Sequence, residues 1–222
     1  MSVRSVKAEQ SAHSSADASK LTSIGEARRE MYRRQILAAA EVEFGRSGFD
    51  GAKVTDIAGT AGVSQATLYK HFAGKDDIWD ALNRERMAEF TSVGLAAAEG
   101  VTSPLESLFS MLREQVRYFA AHPGFLQVHA REGLSWGTAG VDVGRGSQRD
   151  VWRLGVNIMV QLAEELIESG EVPVMRPQVL SGLVISSLQV YLTDWLDQGC
   201  IAPADDVSDE LIAHLRRAFR VA

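Results

Sequence analysis

The chain has 222 residues, 45% of them hydrophobic, with 23 Lys and Arg against 29 Asp and Glu for a formal charge of −6. That length suffices for one sizeable core or for a small domain joined to a larger one, and two unequal domains are expected. The single cysteine, Cys200, excludes an intrachain disulfide framework, a CxxC redox pair and a cysteine-rich zinc site. There is no apolar run long enough for a membrane span and no apolar core of a signal peptide, so a soluble cytoplasmic protein without a membrane partner is expected.

Charge is unevenly spread. Residues 26–75 hold eight Lys and Arg against six Asp and Glu, whereas residues 76–222 carry an excess of nine anions. A mildly basic segment in an acidic chain fits one end facing a polyanion and a body held away from it.

Residues 1–23 are rich in Ser and Ala and poor in large apolar side chains. They cannot bury enough surface to offset the entropy of ordering, so a flexible arm is expected. Its cations Arg4, Lys7 and Lys20 suit contact with DNA phosphates, but a tail of no specific role fits the composition better. From 26 to 47 the pattern turns helical, with Met31, Ile36, Leu37, Ala40 and Phe44 on one face. Gly48 is expected to end this helix, Phe49 to pack back beneath it, and Asp50-Gly51 to make a turn. Arg28, Arg29, Arg33 and Arg34 lie early on the helix, either against a phosphate backbone or on a solvated face.

Residues 54–75, VTDIAGTAGVSQATLYKHFAGK, read as a helix-turn-helix. Helices over 55–61 and 64–72 would be joined at Gly62, where glycine accepts a positive φ, and Ser64 would cap the second. Ile57, Ala58, Ala61, Val63 and Leu68 form the apolar seam. The opposite face carries Gln65, Thr67, Tyr69, Lys70 and His71, the amide, hydroxyl and cationic groups that a helix in a DNA major groove uses.

A longer helix over 75–95 opens with Asp76-Asp77, which suit the positive end of the helix dipole better than acid/base catalysis. Its apolar side, Ile78, Trp79, Leu82, Met87 and Phe90, can link the small domain to the large one. Pro104 suits the first turn of a helix over 104–121, followed by a shorter one over 125–134 and a glycine-rich connection over 135–146. Helices over 149–169, 179–197 and 205–219 complete the chain. No alternating strand pattern occurs, so the fold class is all-α, about nine helices. No GxSxG, HExxH, Walker or dinucleotide-binding signature is present, so neither an enzyme nor a cofactor or metal site is expected.

From 36 to 78 the chain resembles the TetR (TetR/AcrR) family of bacterial transcriptional regulators: a first helix ending F-x-x-x-G-F, then I-A-x-x-A-G-V-S, then T-L-Y-x-H-F-x-x-K. The resemblance implies a helix-turn-helix domain over 24–75 and a ligand-binding and dimerisation domain over 76–222. It places DNA contacts at Gln65 and Thr67, phosphate contacts at Tyr69, His71 and Lys75, and further contacts at Thr55 and Lys70. Ser64 and Ala66 belong to the same surface, where the Ala66 methyl suits a thymine methyl and Gln65 suits adenine. Lys53 stands where the family commonly has a capping Thr or Ser, losing a cap worth about 1 kcal/mol and adding a cation beside phosphate. Ala66 replaces a common Gly, which firms the recognition helix.

The resemblance further implies a homodimer through the last two long helices, a palindromic double-stranded DNA operator, and repression relieved by a small apolar or amphipathic effector held among helices over 104–169. Phe109, Met111, Phe119, Phe125, Trp136, Trp152, Val156 and Met159 are the candidate pocket residues, with His129, Arg131 and Glu132 as polar contacts. Each apolar one, taken singly, suits a packed core better than a pocket. A constitutive regulator with no small-molecule input is the alternative.

Overall fold

The computed structural model describes residues 3–131 and 147–219, with side chains from residue 25 onward except at 147–149, 151 and 152. Among these the chain forms nine helices: α1 Val3–Gly51, α2 Val54–Thr60, α3 Gln65–Tyr69, α4 Lys75–Ala98, α5 Pro104–Ala121, α6 Pro123–Arg131, α7 Ser147–Glu168, α8 Pro177–Asp197 and α9 Ala204–Ala218. The all-α expectation and the helix order hold.

The backbone of α1 is helical through the stretch for which composition predicts a flexible arm. No Gly or Pro precedes Gly25, and the Ala, Lys and Glu residues there are good helix formers. Gly48, at φ 69° and ψ 174°, interrupts the helix as expected. The turn expected at Asp50-Gly51 is instead one more helical turn, with the Ala52 N–H donating to the Gly48 carbonyl at 3.2 Å. Phe49 folds back to stack on Phe44 at 5.9 Å between ring centroids and to meet Trp79 edge-on at 5.2 Å.

Two cores result. The smaller joins Ile36, Ala40 and Phe44 of α1 to Ile57 of α2, Leu68 of α3 and Ile78, Trp79 and Leu82 of α4, and it also takes in Val128 of α6. It therefore runs past residue 75, the boundary that the family resemblance implies. The larger core gathers Met87 and Phe90 of α4 with α5, α6, α7, α8 and α9. One apolar side of α4 thus serves both cores, as its spacing predicts.

Ser103 accepts the Glu106 N–H at 3.2 Å, and Pro104 opens α5. Antiparallel α9 is aligned on α5 by three exposed ion pairs: Glu106–Arg216 at 2.8 Å, Arg113–Asp209 at 2.9 Å and Arg117–Asp205 at 2.7 Å. Solvent screens such pairs, so they fix register more than they stabilise. Among the described residues α8 is the one helix long and apolar enough to cross a membrane, a test that the core helix of a globular bundle also passes.

The two cores meet where α6 crosses α1. A Cβ on Gly45 would lie 3.0 Å from the Gly124 carbonyl oxygen, and one on Gly124 would lie 3.0 Å from Glu41 Cγ, so a side chain at either position would push its neighbour by a few tenths of an ångström. Beside it the buried Glu41 binds Arg86 of α4, which also pairs with Glu89 at 2.8 Å, and Glu89 accepts from the Tyr118 hydroxyl of α5 at 2.8 Å.

Candidate nucleic-acid interface and apolar cavity

Gly62 takes φ 66° between α2 and α3, the left-handed conformation that lets the chain reverse in a few residues. Ser64 then caps α3, its hydroxyl accepting the Thr67 N–H at 3.0 Å and lying 2.9 Å from the Thr67 hydroxyl. Leu68 is fully buried against α1, and Gln35 of α1 donates its side-chain amide to the Ala61 carbonyl at 2.7 Å. The short recognition helix is thus held by a cap, an anchor and a bond to its turn.

The face left outside holds Gln65, Ala66, Lys70 and Tyr69, the last 53% exposed although it is a large aromatic. Lys53, Thr55 and Ser64 are exposed on the same domain, and Thr67 and His71 are half-buried. Lys53 caps α2 through backbone geometry alone with no side-chain bond, and Thr55 donates to Asp56 rather than capping. Arg28, Arg29 and Tyr32 of α1 line one cleft with Thr67, Lys70 and His71, and the Tyr32 and His71 rings lie 5.6 Å apart. Of the four early arginines, Arg28 and Arg29 face this cleft, whereas Arg33 pairs with Glu85 of α4 and Arg34 with Glu30.

Lys75, the phosphate contact that the family resemblance implies, makes three contacts within the chain. Its ammonium donates to the carbonyls of Phe49 at 2.7 Å, Ala52 at 3.1 Å and Asp50 at 3.3 Å, and sits 4.5 Å from the Phe49 ring centroid. An ammonium has three donors, and these carbonyls at the frayed end of α1 occupy all of them. Lys75 thus clamps α4 to α1.

In the large domain a narrow apolar cavity lies between α4, α5, α7 and α8, with about 50 Å³ of free interior inside an envelope of about 580 Å³. Three expected residues, Met111, Val156 and Met159, line it. Phe109, Phe119, Phe125 and His129 do not: all four are buried core, with Phe109 beneath the Arg216 guanidinium and His129 edge-on to Phe125 at 4.3 Å. Burial pushes the His129 imidazole down to about 3. Arg131 donates to the Gly45 carbonyl rather than facing the cavity. Trp136, Glu132 and the side chain of Trp152 lie outside the described residues.

The cavity also takes residues that the sequence does not assign to it. Met87, Phe90, Thr91 and Leu95 come from α4 and Val184, Ile185 and Leu188 from α8, together with Gln115 of α5. Gln115 had a signal in the sequence, a polar residue set in the otherwise apolar stripe of Leu108, Leu112, Val116 and Phe119.

Residues 36–82, the α1–α4 segment that carries this surface, match the model of a family described as bacterial regulatory proteins, tetR family. The chain is similar to the A-factor receptor protein of Streptomyces griseus, at 30% identity over 168 residues, 75% of this chain and 56% of that protein. It is also similar to an HTH-type transcriptional repressor of Streptomyces coelicolor, at 26% identity over 110 residues, 50% of this chain and 54% of the repressor. The matches span about half the length of these curated relatives. The fold resembles that of the transcriptional regulator FadR from Bacillus subtilis, solved in complex with stearoyl-CoA, with a TM-score of 0.70 and 20% identity over 84% of this chain and 99% of that one. Residues 36–82 therefore carry the helix-turn-helix segment of the tetR family of bacterial regulatory proteins, and the helical body follows the fold of a solved transcriptional regulator.

Proposed function

We propose that the chain is a DNA-binding transcriptional regulator, acting as a homodimeric repressor on a palindromic operator and released by a small ligand held between α4, α5, α7 and α8. The observation that carries this reading is the outward face of α3, where Gln65, Ala66, Tyr69 and Lys70 stand on a capped, core-anchored helix beside Arg28 and Arg29. Groups of this kind read base edges and neutralise phosphates. The relatives' descriptions, a repressor and a receptor, support the same reading, as does the stearoyl-CoA held by the FadR structure.

A second copy is supported by the outer side of α8, which leaves Leu183 49% and Val190 64% exposed, with Val179 one turn earlier also open. Two protomers joined there would present two α3 helices to successive major grooves, roughly 34 to 36 Å apart. Ligand control follows from α4, which lines the cavity with Met87 and Phe90 and anchors the DNA-binding core with Ile78 and Leu82. A ligand that prefers one position of α4 shifts the population of DNA-competent dimers, and about 5.5 kcal/mol of preference carries it from 1:99 to 99:1.

The test is selection of bound DNA from a random pool by the purified chain. An enriched palindrome with half-sites about one helical turn apart, or a multiple of it, is the expected result. Failure to enrich any sequence would overturn the proposal.

A further inference from the structure

Resting on the ligand-responsive reading, we infer that the cavity takes a neutral, mostly apolar molecule with one hydrogen-bonding group, such as an ester, amide or alcohol, and that Gln115 reads that group. Among the described residues its lining contains no Lys, Arg, His, Asp or Glu. A carboxylate or ammonium entering it would lose its hydration without gaining a partner, a penalty of several kcal/mol per charge. The occupant's buried part is therefore uncharged.

Apolar walls alone would accept any oil, and one group breaks that indifference. Gln115 is 8% exposed, lines the cavity from α5, and among the described residues its side-chain amide makes no hydrogen bond. The amide opens to the cavity rather than being sealed in the core, so a ligand carbonyl or hydroxyl arriving there gains a hydrogen bond worth about 0.5–1.5 kcal/mol that a purely apolar molecule does not.

Gly94 of α4 supplies a second observation. A Cβ there would sit 3.1 Å from Nε2 of Gln115, tighter than ordinary contact. Glycine inside a helix costs about 1 kcal/mol relative to alanine, and here its missing side chain is the space that the amide occupies. Thr91, on the same helix, is the one other polar side chain of the lining and widens the range of oxygen placements that the site can meet.

The free interior of about 50 Å³ is narrow, so a ligand that widens it bears on α4, one wall of the cavity and the helix shared by both cores.

The test is titration calorimetry on the full chain with methyl decanoate, decanamide and sodium decanoate at pH 8, with naphthalene as a purely apolar probe. The expected result is that the ester and amide bind at least about tenfold more tightly than decanoate. Gln115→Leu should cut ester and amide affinity about tenfold, equivalent to about 1.4 kcal/mol, while naphthalene binds the variant as it binds the parent. Gly94→Ala, which crowds the amide, should weaken the same two probes. Equal or tighter binding of decanoate, undiminished ester affinity in Gln115→Leu, or no binding by any probe would each overturn the inference. Because the readout is heat of binding and not DNA release, its failure is distinct from that of the regulator reading, which rests on DNA selection.

Discussion

Arg86 of α4 donates through Nε to one oxygen of the buried Glu41 carboxylate of α1 at 2.7 Å, while the other oxygen accepts the Phe125 N–H of α6 at 3.1 Å. One side chain thereby ties three helices at the junction of the two cores. Replacing Glu41 by Ala leaves the half-buried guanidinium with Glu89 alone and the Phe125 N–H with the His122 carbonyl alone. Urea denaturation of Glu41→Ala should show a loss of about 3 kcal/mol, and Glu41→Ala/Arg86→Ala a smaller loss than the sum of the single variants, since the pair the two share is then counted once.

The contacts of Lys75 separate stability from DNA affinity. Lys75→Met removes the donor shared by the Phe49, Ala52 and Asp50 carbonyls, and charged hydrogen bonds of this kind contribute about 1.5–3 kcal/mol. The variant should lose stability by about that amount. The slope of log affinity against log salt should stay within a few tenths of the parent value, where a lost phosphate contact would change it by about 0.9.

On the exposed face of α3 the two kinds of contact part in the opposite way. Lys70→Ala should weaken binding to all DNA sequences and reduce the salt slope by about 0.9. Gln65→Ala should cost about 1–3 kcal/mol on the preferred site and relax the preference at one base position, measured by binding to single-base variants of the selected DNA.

Burial of His129 makes stability depend on pH. The folded value, about 3, lies below the ordinary value of 6.5, so the unfolded chain takes up the proton first as pH falls. The contribution is complete above about pH 6.5 and is lost progressively from there toward pH 3. At pH 5 the loss is about 2 kcal/mol. Denaturation at pH 7 and pH 5 should show that difference in the parent chain and not in His129→Leu, whereas parallel losses in both would point to another group.

The helix-turn-helix was legible because its signals are local. Gly62 and Ser64 act within three or four residues of themselves, and the structure gives them the turn and the cap that their chemistry specifies. The spacing of Ile78, Trp79, Leu82, Met87 and Phe90 likewise announced a helix serving two cores. The cavity was only partly legible, because Met111 and Phe109 both follow the buried periodicity of α5 and differ only in which distant helix covers them. The contacts of Lys75 were not legible for a related reason: its partners are carbonyls more than twenty residues away, on a segment whose extra helical turn no local pattern announced.

The crossing of α1 and α6 at Gly45 and Gly124 bears on how movement passes between the halves of the molecule. Helices that interdigitate through side chains must climb over ridges to shift, and so they settle into discrete positions. Here each glycine receives a side chain of the facing helix, Gln127 of α6 at Gly45 and Glu41 of α1 at Gly124, so α6 is seated on α1 in one such position. Glu41, bonded to Arg86 and to Phe125, and Arg131, bonded to the Gly45 carbonyl, hold it there. The junction behaves as a keyed joint with two latches, and the force needed to release them sets how tightly the two halves of the molecule are coupled.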